Sequence, residues 1–340
     1  MKKQPIILLF LFYFILIGGA GDVFAQKPLQ QTLPSTLVVG CSSIGSSSYI
    51  HSVGMANIIS KYTKMSAIAQ SSGGSDALNR AIKFGKVDVA LVNTFSAGNA
   101  FRGTKQFAAE GKIPILMWAF GYTSLRQTVA RADRGIETVS DLRGKRIVAL
   151  RKSLPELEMV MNAMLKIYGI DKQEVTYVQT AATTETEAAL ISGSVDAAII
   201  PGGVPSGNII KVSERIKMKF ISIPPDKMKM ILDFLGPDFS EGVIPRDTYK
   251  DQKTELLFPA LGNIMAVRAD FPEEAVYWMT KALFDHYDEF KSVHSAAKHW
   301  NIKSTLHNFN IPLHPGAIRY FKEKGVWMAE HEARQKKLQR

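Results

Sequence analysis

Short apolar runs bounded by Gly, Ser or Asp alternate with amphipathic stretches throughout this chain, and no other feature narrows its fold as far. Such runs read as buried strands, and the amphipathic stretches between them read as helices covering a parallel sheet. The order opens with a strand at 36–40, a helix at 49–62, a strand at 66–70, a helix at 75–83 and a strand at 87–92. Two successive strand–helix–strand units of this kind form half of a doubly wound sheet. The same order returns as strand 146–150, helix 155–168, strand 174–178, helix 185–192 and strand 197–200, without obvious sequence repetition. Two extended segments, 115–120 and 127–131, mark a crossing into a second lobe, and a third, 256–268, carries the chain back. Helices at 272–290, 294–300 and 315–324 follow, while the Pro-rich stretch 223–245 reads as surface loop and short helix. The expected fold class is α/β, two doubly wound lobes joined by a hinge with a ligand cleft between them. The expected divisions are a leader at 1–25, a first lobe from 26–125 and 259–340, and a second lobe from 126–258.

The leader reads as a secretory signal peptide: Lys2 and Lys3, an apolar core from 6 to 17, then Val23, Phe24 and Ala25 before the cleavage point. A retained anchor would need about 18 apolar residues, which the core lacks. Val38, Val39, Gly40 and Cys41 imitate a lipoprotein processing box. Polar residues 26–36 separate them from the apolar core that such a box must adjoin. Cys41 is the single cysteine, so no intramolecular disulfide forms, and it reads as a small residue ending a buried strand. The mature chain is expected to be soluble and periplasmic.

The formal net charge of +11 suits nucleic acid, an acidic membrane surface or anionic solutes. Export argues against nucleic acid, as does the lack of a Lys/Arg cluster interleaved with aromatics. The basic run 334–340 reads as a solvated, frayed helix end. Catalytic patterns are poorly represented. The seven histidines are dispersed, His294 and His299 do not share a helical face, and neither H-E-x-x-H nor G-x-S-x-G occurs. Asp285 and Asp288 read as the solvent face of a helix. No catalytic residue, metal site or cofactor is expected.

Loops after strands are rich in Ser, Thr and Gly. Ser42, Ser43, Ile44, Gly45, Ser46, Ser47 and Ser48 lead into a helix, and Ser72, Gly73, Gly74 and Ser75 repeat the device at the next junction. Small residues there let backbone N–H groups approach a ligand, and a helix N-terminus adds positive partial charge. The bland alternative is an ordinary Ser N-cap. Asn93, Thr94, Phe95 and Ser96 should face the same crevice, or form only a polar turn. In the second lobe Arg151, Lys152 and Ser153 precede Pro155 and Glu156 at a helix start. Arg151 or Lys152 is placed to neutralise a carboxylate, and Pro201 and Gly202 with Gly203 offer a wall.

In order along the chain, five segments resemble the TAXI family, solute-binding receptors of a subclass of TRAP transporters. They are 37–49; 72–75 followed by Gly85, Lys86, Val87 and Asp88; 141–146; Gly193, Ser194, Val195, Asp196 and Ala197; and 311–317, with Pro312, His314 and Pro315. The resemblance implies a type II periplasmic-binding-protein fold. It also implies delivery of an organic anion or amino acid to TRAP permease subunits by a receptor that does no chemistry; a monomer is expected. It assigns the first binding loop to Ser43, Ile44, Gly45, Ser46, Ser47, Ser48 and Tyr49, and the second to Ser72, Gly73, Gly74 and Ser75. Where the family carries a Gly-rich loop after the strand 146–150, this chain has Arg151 and Lys152, so the usual specificity does not transfer. A carboxylate is expected against the two Ser loops, with Tyr49 as a wall and the hinge near Ala130 and Asn263. An enzyme on the same fold and an exported sensing or interaction module remain alternatives.

Overall fold

A computed structural model describes residues 33–340; the expected leader lies outside the described residues. The first winding consists of β1 (Thr36–Cys41), α1 (Ser47–Tyr62), β2 (Ser66–Ser71), α2 (Ser75–Lys83), β3 (Val89–Asn93) and α3 (Thr94–Arg102). The long β4 (Ile115–Arg131) leads to β5 (Arg146–Leu150), α4 (Glu156–Ile167), β6 (Thr176–Gln179), α5 (Thr183–Ser192) and β7 (Ala197–Gly202). There follow α6 (Gly207–Ser213), β8 (Met218–Phe220), α7 (Pro225–Leu235) and β9 (Ser240–Ile244). The return strand β10 (Leu256–Arg268) precedes α8 (Glu273–Asp285), α9 (Tyr287–Phe290), α10 (Ile302–Asn308), α11 (Pro315–Glu323) and α12 (Ala329–Gln339).

The sheet order is β2-β1-β3-β10-β4-β7-β5-β6, with β8 on β4 and β9 on β10. In one half β1 pairs in parallel with β2 and β3, and in the other β5 pairs in parallel with β6 and β7. Each parallel trio is closed at its inner edge by an antiparallel strand from a crossing, β10 against β3 and β4 against β7. The two crossings pair with each other, from Ile115 opposite Arg268 to Leu125 opposite Ala260, with a register shift between Gly262 and Ile264. This is the type II periplasmic-binding-protein fold, two doubly wound α/β lobes with an interlobe cleft.

A repeated device joins each trio. Asp88 accepts a hydrogen bond from the Val38 amide (2.7 Å) and Asp196 one from the Arg146 amide (2.8 Å), in each case 50 residues upstream. The Gly-x-Val-Asp segments at 85–88 and 193–196 are therefore the same joint in both lobes. The 311–317 segment is structural as well. His314 accepts from the Gly316 amide (3.2 Å) at the start of α11, and its Nε2 donates to the Phe271 carbonyl (3.1 Å). Burial pushes the His314 imidazole down to about 4, keeping it neutral in this role.

Several expectations need correction. The two extended segments expected between 115 and 131 are one strand, because Thr123 and Ser124 pair with Gly262 and Leu261 and keep the polar middle extended. Gly121 lies under the Trp300 indole, where a Cβ would come within 2.1 Å of the ring. The loop read at Asn93, Thr94, Phe95 and Ser96 opens α3 rather than forming only a polar turn, since the Asn93 side chain caps the helix by accepting from the Ser96 amide (2.7 Å). The basic C-terminal run is not a frayed end. Gln335 is buried and exchanges hydrogen bonds with Leu313 (2.8 and 2.9 Å), and the Arg334 guanidinium lies 4.6 Å from the Phe309 ring centroid. The helix expected at 272–290 breaks at His286, and 294–300 holds only a 3-10 turn, Ser295–His299. Asp285 is tied to Lys281, Lys324 and Tyr320 rather than left to solvent. The stretch 223–245 contains α7 and β9.

The first-lobe core gathers Leu37, Val39, Val89, Leu91, Trp118, Trp300, Phe309 and Phe321; the second packs Ile147, Val160, Met164, Ile199 and Ile231. Cys41 is buried at the end of β1. No helix among the described residues is long and apolar enough to cross a membrane.

Candidate functional site

The carboxyl ends of β1, β3, β5 and β7 meet at one cavity between the lobes. It is lined by Ser42, Ser46, Ser47, Ser48, Ser75, Leu91, Asn93, Tyr122, Ser124, Arg126, Arg151, Leu154, Thr183, Pro201, Gly202 and Asn263. Four helices begin at this wall: α1 with its Ser46 cap, α2 with Ser75 as first residue, α3 with its Asn93 cap and α5 with Thr183 as first residue. Their N-termini bring positive partial charge to the wall. Ser46 also accepts from the Tyr49 amide (3.2 Å), so capping and lining coexist in one residue.

Two buried arginines give the cavity its electrostatics. Arg126, on β4, donates to Glu156 Oε1 (2.7 Å) and to the Ser124 carbonyl (2.8 Å), and both side chains of the ion pair are almost wholly shielded from solvent. Asn93 Nδ2 donates to the same Glu156 oxygen (2.9 Å). Arg151, 5% exposed, donates only to neutral groups, the hydroxyls of Thr183 (3.0 Å) and Thr186 (3.2 Å). Among the described residues no carboxylate pairs with it, and its Nε has no partner. Burial lowers its pKa to about 10, which leaves it charged at neutral pH. Grooves of about 660–690 Å³ elsewhere on the described surface are wider, but none is lined by a buried cation.

The lobes touch across this cavity. The Gly203 amide donates to Ser47 Oγ (3.2 Å), the Thr183 amide to Ser43 Oγ (3.4 Å), and the Asp76 amide to the Ser153 carbonyl (3.2 Å). These bonds, with Asn93 to Glu156, close the cleft to a cavity of about 40 Å³. Beneath the wall His51 donates through Nδ1 to the Ser47 carbonyl (2.6 Å) and stacks on Tyr122 with ring centroids 4.4 Å apart. Burial drives the His51 pKa down to about 3, so it packs as a neutral ring.

Of the residues singled out from sequence, Ser46, Ser47, Ser75, Asn93, Arg151, Pro201, Gly202 and Asn263 come together on the cavity. Ser43 and Ser153 make the cross-cleft bonds instead, and Gly74 packs against Ser153. Glu156 sits behind Arg126 rather than on the wall. Ile44 and Gly45 are exposed, Ser72 accepts from the Gln70 side chain of β2 and donates its amide to the Cys41 carbonyl of β1, and Gly73 and Thr94 lie off the cavity. Tyr49, expected as a wall, lies outside the lining, and Tyr122 from β4 takes that place. Lys152 is exposed and off the cavity, so of the two basic residues only Arg151 faces in.

Ser42 and Ser48, part of the Ser-rich loop read from sequence, also line the cavity, while sequence reading missed Leu91, Tyr122, Ser124, Arg126, Leu154 and Thr183. Two of them carried a signal. Arg126 is a lone cation in an extended run otherwise fit for burial, and Thr183 occupies in the second lobe the helix-start position that Ser75 holds in the first.

The NMT1-like family model matches residues 39–325. The chain belongs to the NMT1-like family. Solved structures similar to this family member include the alkanesulfonate-binding protein from Xanthomonas axonopodis pv. citri bound to MOPS, at 12% identity, 87% of this chain, 95% of that one and a TM-score of 0.48. A periplasmic aliphatic sulphonate binding protein from Escherichia coli is similar at 13% identity, 90% and 85% coverage and a TM-score of 0.44. An arginine-specific periplasmic binding protein from Salmonella typhimurium is similar at 16% identity, 78% and 98% coverage and a TM-score of 0.45. At these similarities the ligand class is read from this chain's own cleft.

Proposed function

We propose that the protein is an extracytoplasmic solute receptor that captures a small organic anion in the interlobe cleft and delivers it to a TRAP-type permease of the TAXI kind. The observation that carries this reading is Arg151, a buried guanidinium with no carboxylate partner among the described residues, on a wall where four helix N-termini converge. A buried charge is costly unless it is paired, and an incoming oxyanion supplies the missing partner. Hydroxyl and amide donors around it stabilise the anion without further protein charge.

In this reading residues 26–125 and 259–340 form one lobe and 126–258 the other, with both divisions inside the β4–β10 pair. The mature chain, cut after Ala25, works in the periplasm as a monomer and performs no reaction. The β4–β10 pair, with its irregular register beside Asn263, is the hinge about which the lobes part. Support comes from the fold, from the cross-cleft hydrogen bonds and from the resemblance of five ordered segments to that receptor family.

Mass spectrometry of small molecules released on denaturing the purified protein tests the assignment. The wild type should release an organic acid in near-stoichiometric amount, and Arg151→Gln should release little or none. Equal release from both proteins, or turnover of the released acid by the wild type, would contradict the receptor reading.

A further inference from the structure

We propose that the cleft selects a compact monoanion with one oxyanion head and no ammonium group, an inference that rests on the receptor reading above. Three observations converge on it. The first is a charge count: of the two arginines lining the cavity, Arg126 is ion-paired with Glu156, so Arg151 alone lacks a carboxylate in salt-bridge contact, with Glu156 and Glu185 acting on it only at longer range. A ligand bearing two negative charges would bring one of them into the cleft without a counter-ion, which burial penalises.

The second is the absence of any Asp or Glu from the cavity lining. Glu156 is engaged by Arg126 and Asn93, and Asp76 is buried behind Ser75, where its oxygen accepts from Ser96 and Gln106. An α-ammonium group would therefore meet only hydroxyls and carbonyls, with no carboxylate to balance it.

The third is size. The cavity, at about 40 Å³, is small beside the grooves of about 660–690 Å³ elsewhere on the described surface. Its dimensions are set by the cross-lobe bonds of Ser43, Ser47, Asn93 and Asp76 with Thr183, Gly203, Glu156 and Ser153, and a longer ligand would have to break them. Six serines and a threonine in the lining favour a head group with further oxygens, as in a hydroxy or keto acid.

Calorimetry at pH 7 on ligand-stripped protein tests this with acetate, lactate, pyruvate and methanesulfonate against succinate, glutamate and alanine. At least one monoanion should bind about 10-fold or more tightly than any member of the second group. Arg151→Gln should weaken that binding by about 100-fold, with partial recovery in Arg151→Lys. Glu156→Gln frees the Arg126 charge and should move preference toward succinate by about 10-fold; an unchanged preference would overturn the charge count. Should that variant fail to fold, the wild-type panel decides alone. Succinate, glutamate or alanine binding as tightly as the best monoanion would overturn the inference and leave the receptor reading standing. If no compound in either group binds, both fall.

Discussion

Asp76 shows how a residue beside the cleft ties stability to pH. Desolvation by burial raises its carboxyl from the ordinary 3.8 to about 6, against hydrogen bonds from Ser96 and Gln106 that favour the ionised form. The folded state thus holds a proton that the unfolded state has lost between pH 4 and 6. The stabilisation from protonated Asp76 is complete below about pH 4 and disappears as pH rises through about 6. A shift of about two units corresponds to roughly 3 kcal/mol. Asp76→Asn lacks this titration, so its melting temperature should gain on the wild type as pH rises from 4 to 7; parallel profiles would contradict the assignment. From sequence Asp76 is only an acidic residue in the first turn of a helix, and nothing in its spacing reveals that Ser96 and Gln106 enclose it. Arg151 was legible as a candidate cation because it directly follows a strand, but its separation from Lys152 was not. Adjacent residues leave a strand end in opposite directions, and which one faces inward depends on Thr183 and Thr186, more than 30 positions away.

The elements were legible where an apolar period repeats within one segment, and obscure where a partner strand or a cap decides. The helix at Ser75–Lys83 and the strand at Arg146–Leu150 stand where their patterns place them. The middle of β4 does not advertise itself, because Gly121, Thr123 and Ser124 stay extended only through pairing with β10 and packing under Trp300. Tyr122, Ser124 and Arg126, hidden in that stretch, form the cavity wall that sequence reading lacked. The start of α2 bears a testable constraint. A Cβ on Gly74 would lie 2.6 Å from the Ser153 carbonyl of the other lobe, while the Gly74 backbone, at φ −89°, accepts any residue. Gly74→Ala should therefore leave the melting temperature of ligand-free protein within a few degrees and weaken ligand binding by about 10-fold, because it obstructs closure rather than folding. Unchanged affinity in calorimetry would show that the α2 start and the Ser153 loop need not meet.

At the scale of the whole molecule, the two-lobed plan was readable from the doubled strand–helix order and the two extended crossings. What sequence could not reveal is that those crossings pair with each other and close the inner edge of each parallel trio. That pairing places Asn263, Tyr122 and Arg126 at the meeting of the lobes, and it makes the cleft a joint product of both. The account stands or falls on where an anion sits in that cleft. A crystal structure of the protein with its preferred acid should place the oxyanion within hydrogen-bonding distance of Arg151, between the Ser46–Ser47 turn and Thr183. An acid bound elsewhere, with Arg151 still held only by Thr183 and Thr186, would contradict it.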